Sequence, residues 1–572
     1  MSKTVYERFL QSLYHPEPVR DLRELVLRSA RLYGKRRAFV LKNGEGALYE
    51  VSYDRLLADC RALTEALAAR GLTGCRIAVT GANSYEWALA YLAAVIVGVV
   101  VPIDKELCGE DIRLFLDEAD CKAVVGDIKT LAKLDGDALE GRLVVKMKSD
   151  DETVSIARLV REGNERREKG ADAFGTLEID PDALRVLLFT SGTTGSAKGV
   201  CLSQGNICAN IVSVSGMVKI RPNEHVLSIL PLHHTYECTL DFLTILYSGA
   251  CISYADSLRY VYKNISEYHP SILVAVPLLL EKIVNKLEDS IRGGLPEHYK
   301  TRTAALSLTE TVRALPAPLR LLVRRKVKNA FGGRLSKIIV GAAPIAPDTV
   351  DCLCALGIRT MQGDGLTECA PLVAGNNELF LKSDAVGLPI PGVEIRIDDP
   401  DEEGVGEITV RGPNVMLGYY NDAAATDAVL RGGWFYTGDL GRFDDEGWLY
   451  ITGRKKNVII TKNGKNIYPE ELEYRLNANG VIDESLVMGA LEGADVTVRA
   501  KIFPDLDAIR DSLHGSVPTK EQIAEAVRRA VAEINEKLPS YKRIRSYKIR
   551  ESAFEKTTTQ KIKRFGDNMK DE

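Results

Sequence analysis

The stretch that most constrains this chain is Leu187-Leu188-Phe189-Thr190-Ser191-Gly192-Thr193-Thr194-Gly195-Ser196-Ala197-Lys198-Gly199-Val200. The apolar run from Val186 to Phe189 predicts a buried strand. It breaks into a loop of glycines, hydroxyl side chains and one lysine. Glycine lets backbone N–H groups approach a ligand and permits positive φ. Hydroxyls and N–H groups turned inward bind phosphate oxygens, and lysine adds a point charge. Such a loop suits a polyphosphate. Its order is not that of the usual P-loop, because Lys198 is followed by Gly199 and lies three residues after Gly195. A short loop of this composition is by default a solvated turn, so the rest of the chain decides.

From about residue 50 to 180 strand and helix patterns alternate. Leu56, Leu57, Cys60, Leu63 and Leu67 mark one helix face that Gly71 ends. Strands are predicted at Ile77–Thr80, Val99–Val101 and Ala123–Val125. Alternation of this kind implies a mostly parallel sheet covered on both faces. Ala88 to Ile103 is nearly all apolar, but Gly98 and Pro102 interrupt it and it is short for a membrane span. It reads as a buried helix, then a buried strand. Lys146 to Gly175 is charged and reads as surface helix and loop.

Bulk properties narrow the function. The 572 residues predict about three or four domain-sized units. A net charge of −4 gives no nucleic-acid footprint. Eleven cysteines without metal or disulfide spacing predict reduced thiols. The first residues lack a signal-peptide core, so a cytoplasmic location is expected, with contact to the inner membrane face as a further option.

Later motifs carry chemistry. Leu230-Pro231-Leu232-His233-His234-Thr235-Tyr236-Glu237 has adjacent histidines, which on a helix or strand point apart. The bland reading is a polar turn after Pro231. Ile272 to Leu280 could line an acyl tunnel or be plain core. Arg320, Arg324, Arg325, Lys326, Lys328, Arg334 and Lys337, interleaved with Leu321 and Leu322, suit a membrane surface, a CoA phosphate or a solvated face. Ile338 to Pro344 is a strand and a small-residue turn, where Gly341 and Ala342 would let a flat ring lie on the backbone. Gln362-Gly363-Asp364-Gly365-Leu366-Thr367-Glu368 offers carboxylates, although a Thr-Glu pair caps helices equally well. Val393–Ile397 and Glu407–Arg411 alternate with period two and predict antiparallel strands. Thr519 with Gln522 predicts a capping box opening an amphipathic helix that Pro539 ends.

In this order the motifs resemble those of the adenylate-forming superfamily of acyl-CoA synthetases, luciferases and peptide-synthetase adenylation domains. The resemblance covers essentially the whole chain and is closest to medium- and long-chain fatty acyl-CoA synthetases. It implies an α/β fold: two mostly parallel sheet subdomains and a small distorted antiparallel barrel in residues 1–454, then a mobile α+β lid in 455–572. It implies ATP, Mg2+ and coenzyme A as ligands, with a carboxylic acid, most simply a fatty acid, as substrate. Thr190, Ser191, Gly192, Thr193, Thr194, Gly195 and Lys198 would hold phosphates, with Thr194 and Glu368 on Mg2+. Gly341, Ala342, Asp364 and Gly365 would wall the adenine and acyl pocket, and Thr367 would touch the α-phosphate. His234 would stand near the carboxylate. Asp439 and Arg454 would hold the ribose, Lys456 would be the hinge, and Gly464 would lie on the loop walling the pantetheine tunnel. Lys561 would be the catalytic lysine.

This chain departs from the family at Asp364, where an aromatic ring usually packs on adenine. Losing that ring forfeits about 0.5–1.5 kcal/mol of ring contact. The carboxylate could instead accept from the adenine amino group, or repel the phosphates. Three other readings stand beside a CoA ligase, the second of them motivated by Asp364. They are an acyl-AMP ligase loading a carrier protein, a catalytically weakened nucleotide binder, and, least favoured, a luciferase-like oxidation.

Overall fold

The computed structural model describes residues 4–149, 154–190, 197–341, 343–460, 465–492, 495–513, 515–556, 562–564 and 566–569. The chain forms two compact units. The smaller holds Ile395–Thr409 and Tyr436–Glu572, and the larger holds the described residues up to Phe435 apart from that first segment. Trp434–Phe443 and Leu449–Arg454 pair with each other, for example Asp439 with Arg454. Contacts thus draw part of the sequence ahead of residue 455 into the smaller unit.

The larger unit has two sheets. In the seven-stranded one the order is Gly418–Tyr419, Lys198–Ser203, Leu184–Thr190, Val99–Ile103, Arg76–Thr80, Cys121–Gly126, Leu143–Lys146. The last five run parallel. The hairpin from Leu184–Thr190 to Lys198–Ser203 is antiparallel, as is the added strand Gly418–Tyr419. The nine-stranded sheet has six parallel strands at its centre: Arg359–Gly365, Lys337–Val340, Ile272–Ala275, His225–Ser228, Cys251–Tyr254 and Arg37–Lys42. Its short central strands are buried along their whole length, as at Ile272–Ala275, which is why they read as unbroken apolar runs.

The apolar stretch near residue 90 shows how the sequence sets this architecture. Ser84 caps the helix Tyr85–Val97, accepting from the Trp87 N–H, and eleven of its residues are buried. Trp87 and Tyr91 stack with centroids 5.5 Å apart. Each large side chain so buried contributes about 1.5–3 kcal/mol. Gly98 then turns the chain where a Cβ would stand 2.1 Å from the Cys75 carbonyl oxygen. No larger residue fits there, and the strand Val99–Ile103 starts at once. Among the described residues no helix is long and apolar enough to cross a membrane. All eleven cysteines are free thiols.

A five-stranded antiparallel sheet is formed by Glu394–Asp398, Gly406–Arg411, Trp434–Phe443, Leu449–Arg454 and, at its edge, Leu430–Arg431, and most of its residues belong to the smaller unit. That unit continues with a three-stranded sheet, Ile482–Glu492, Asp495–Pro504 and Ile544–Ile549. The helices Pro469–Asn477 and Lys520–Glu536 lie on a core of Leu472, Leu476, Val487, Ile502, Val527 and Val531. Pro469 opens the first helix, and Thr519 with Gln522 forms the expected capping box on the second.

Candidate active site

The candidate residues divide between the two units. In the larger one, Thr190 ends the strand Leu184–Thr190 and Lys198 opens the next. The Thr190 hydroxyl donates to the Lys198 carbonyl at 3.4 Å. Ser191, Gly192, Thr193, Thr194 and Gly195 between them lie outside the described residues, as do Ala342, Gly464 and Lys561.

Lys198 is placed by an aromatic ring. Its ammonium sits 4.6 Å from the centroid of Tyr419, a cation–π contact worth about 0.5–1 kcal/mol when exposed. The Tyr419 hydroxyl donates to Glu368 Oε1 at 3.0 Å. One tyrosine thus joins the far end of the phosphate loop to the carboxylate singled out for Mg2+. Tyr419 is there because Gly418–Tyr419 pairs antiparallel with Lys198–Ser203, Tyr419 facing Val200. Glu368 lies in the 3-10 turn Thr367–Cys369, which has no side-chain cap. Thr367 and Glu368 therefore do not act as a helix cap. The Glu368 carbonyl accepts from the Met416 N–H at 2.8 Å, which fixes the turn beside the Tyr419 segment.

Gly341 follows the strand Lys337–Val340. A Cβ here would meet the Tyr236 ring and hydroxyl at 2.7 Å and the Gly363 carbonyl at 2.8 Å. The small residue does admit a flat ring, and in this structure the ring is the protein's own Tyr236. Asp364 and Gly365 lie on the neighbouring strand Arg359–Gly365. The Tyr236 phenol is pushed far up, first by burial, then by the negative charges of Glu237, Asp241 and Asp364. Tyr236 also borders an apolar cavity of about 30 Å³ whose walls include Val214, Met217, Leu240, Ile339, Met361 and Leu372. That is room for about one water. The walls do not include Ile272–Leu280. Leu273, Ala275 and Leu280 are core residues instead.

His233 and His234 depart from the expectation that neighbours diverge. Their ring centroids are 4.1 Å apart, because they lie in a turn in which the His234 N–H donates to the Pro231 carbonyl. Burial pushes the His233 imidazole down to about 3. It is neutral near pH 7, so its 3.6 Å approach to Asp104 is not an ion pair.

The turn feeds a π-helix, Tyr236–Leu243, a rare form that is frequent at functional sites. It carries two buried carboxylates that motif reading passed over. Glu237 Oε1 accepts from the Ser228 hydroxyl at 2.5 Å. Its other oxygen and both oxygens of Asp241 are buried, and the two carboxyl groups lie within hydrogen-bonding reach of each other. Burial pushes Asp241 up to about 7, and burial and then the Asp241 charge push Glu237 well up. Among the described residues no group of three or more His, Cys, Asp and Glu side chains is placed to hold a metal.

In the smaller unit the ribose candidates face each other across paired strands, Asp439 opposite Arg454. Arg454 Nε lies 2.6 Å from Asp439 Oδ1. The Asp439 N–H donates to the Thr437 hydroxyl at 3.0 Å, which itself donates to the Ile408 carbonyl at 2.7 Å. Gly438 takes φ +72° to make that turn and donates to Glu407. Lys456 sits exposed in the 3-10 turn Lys455–Asn457.

Two mostly parallel sheets in the larger unit and a small α+β unit carrying a paired Asp439 and Arg454 are the frame in which the comparisons with known proteins stand. The AMP-binding enzyme model matches residues 26–420, and the AMP-binding enzyme C-terminal domain model matches residues 456–565. The chain belongs to this AMP-binding, adenylate-forming family. It is 29% identical over 527 residues to the long-chain-fatty-acid–CoA ligase FadD15 of Mycobacterium bovis, covering 86% of each chain. It is 30% identical over 438 residues to the long-chain-fatty-acid–CoA ligase 6 of Rattus norvegicus, covering 69% of this chain and 61% of that one. Its fold matches o-succinylbenzoate CoA synthetase (MenE) from Bacillus subtilis in complex with the acyl-adenylate OSB-AMP, with a TM-score of 0.71 at 23% identity. That match covers 94% of this chain and 96% of the other. ATP-bound MatB from Rhodopseudomonas palustris matches with a TM-score of 0.70 at 24% identity, covering 94% and 97%.

Glu368, Asp439 and Arg454 entered as candidates through the family resemblance. Tyr236 and Tyr419 were not candidates, because each reaches its neighbours through packing against a distant segment.

Proposed function

We propose that this protein joins a carboxylic acid, most simply a fatty acid, to coenzyme A in two steps. A carboxylate oxygen attacks the α-phosphorus of ATP; the bond to the bridging oxygen breaks and pyrophosphate leaves. The thiolate of coenzyme A then attacks the acyl carbonyl carbon and AMP leaves. The observation that carries the reading is the Lys198–Tyr419–Glu368 cluster at the edge of the phosphate loop. It sets a cation and a carboxylate through one ring in a member of an AMP-binding family. The apolar cavity beside Tyr236 and the fatty-acid ligases among the relatives support an apolar acid.

The residues take these roles. Two anions must meet in the first step, so its barrier is largely electrostatic. The loop Thr190–Lys198 and Lys561 lower it by facing the phosphates, and Thr367 holds the α-phosphate. Oxygen donors such as Glu368 and Thr194 suit Mg2+, which takes one or two carboxylates beside phosphate oxygens; when bound it would spread the phosphate charge. Glu368 fits that part because the Tyr419 hydroxyl holds its carboxylate in place through Oε1. Asp439, set by Arg454 at Oδ1, accepts from the ribose hydroxyls. His234 orients the acid, and the Gly464 loop walls the thiol's approach.

Asp364 motivates a second reading, a nucleotide binder with weakened turnover, because its charge reaches the Tyr236 ring beside Gly341. Pyrophosphate release measured across acids from acetate to long-chain and aromatic, with coenzyme A or a holo carrier protein as acceptor, separates these. The ligase reading expects acid-stimulated release that is largest for fatty acids, and thioester only with coenzyme A. ATP binding without acid-dependent release would establish the second reading instead. Thioester formed only on the carrier would make the protein a carrier-loading ligase.

A further inference from the structure

Two neighbouring parallel strands, Ile272–Ala275 and Lys337–Val340, are joined by a long helical crossover. From residue 293 to 336 this crossover carries nine lysines and arginines against two glutamates. Its net charge is +7 in a chain whose total is −4, so the remainder carries −11. The helix Ala317–Ala330 holds five of these cations and no acid. Val323 and Val327 bury one side of it. At 100° per residue, Leu321, Arg325 and Lys328 form a row on the opposite side, with Leu322 next to it. Leu321 is 68% exposed and Leu322 57%. Lys337 is not part of this surface: it is buried, with Nζ 3.1 Å from Glu224 and 3.3 Å from Glu378.

We propose that the outward face of the helix Ala317–Ala330 docks on an anionic lipid bilayer surface. Two adjacent leucines held in water amid cations match an interfacial helix, whose apolar residues enter the headgroup boundary while long basic side chains reach lipid phosphates. Each cation near an anionic leaflet adds to binding, and the effect fades within a Debye length. The leucines favour a bilayer over nucleic acid, since a polyanion in water binds the cations and gains nothing from exposed leucine. The inference does not depend on which acid is activated.

The test uses the full chain with phosphatidylcholine vesicles, with and without phosphatidylglycerol, in co-sedimentation over a salt series. Binding is expected to the mixed vesicles only and to weaken with salt. A Leu321→Gln/Leu322→Gln variant should lose at least about tenfold in vesicle affinity, and Arg325→Glu/Lys328→Glu at least as much. Both should keep the wild-type melting temperature and the wild-type turnover of a short soluble acid. A wild-type chain that stays in the supernatant overturns the inference. So does a leucine variant that binds vesicles as tightly as the wild type, because the contact is then non-specific charge. Double-stranded DNA bound equally by wild type and leucine variant, and displacing the vesicles, would assign the surface to a polyanion instead.

Discussion

Tyr419 and Glu368 lie 51 residues apart in the chain and meet at a single hydrogen bond. A hydrogen bond to a charged group is worth about 1.5–3 kcal/mol. Tyr419→Phe keeps the ring under Lys198 and removes only the hydroxyl. Calorimetry of Mg2+-dependent ATP binding without acid should show about a tenfold weaker dependence on the metal, with an unchanged melting temperature. Identical metal dependence would detach Tyr419 from the site. Lys561→Ala should abolish adenylate formation while sparing thioester formation from supplied acyl-adenylate; a variant making adenylate at the normal rate would end that assignment. Glu368, Asp439 and Arg454 could be named as candidates because the resemblance rests on short strings with fixed neighbours. Tyr419 was not, because its part comes from pairing of Gly418–Tyr419 with Lys198–Ser203. Lys337 misread as surface because its neighbours are basic, whereas its partners Glu224 and Glu378 come from other segments.

Among the elements, the π-helix Tyr236–Leu243 is the one that period counting did not anticipate, since strand and helix templates contain no such turn. Its buried carboxylates make a pH signature. Asp241 is raised to about 7, so the folded state holds a proton there that the unfolded chain, titrating near about 3.9, gives up earlier. The resulting stability is full below pH ~4 and falls away as pH rises towards ~7. The lowered His233 and His225, at about 3 and 4, act in the opposite sense and add stability as pH rises to ~6.5. Asp241→Asn removes the Asp241 contribution and lowers the Glu237 one, which is raised in part by the Asp241 charge and acts in the same direction. Its melting temperature relative to wild type should therefore climb between pH 4 and pH 8, by the equivalent of about 1–3 kcal/mol. An offset equal at both ends would show that Asp241 does not titrate in that range. By contrast, the end of the helix Tyr85–Val97 and the start of the helix Lys520–Glu536 were legible, because Gly98 and Thr519 mark them with local chemistry.

For the whole molecule, the order of elements and the α/β class followed from alternation, whereas the grouping of residues 395–409 with the C-terminal segment depends on strand pairing that no local pattern encodes. We place the hinge at Lys456, in the exposed turn Lys455–Asn457. Lys456→Pro fixes φ there and should leave acid-dependent pyrophosphate formation intact while stopping acyl transfer to coenzyme A, as read in two separate half-reaction assays. Equal loss of both would move the hinge elsewhere.

The cavity beside Tyr236 has a kinetic corollary. A resting space of about 30 Å³ cannot receive an alkyl chain until its walls yield, and Met217 and Met361 are the side chains best able to swing aside. Entry of a long acid then becomes a two-stage event, with a slow unlatching ahead of rapid capture. Stopped-flow traces should level off at high acid concentration instead of climbing in proportion to it.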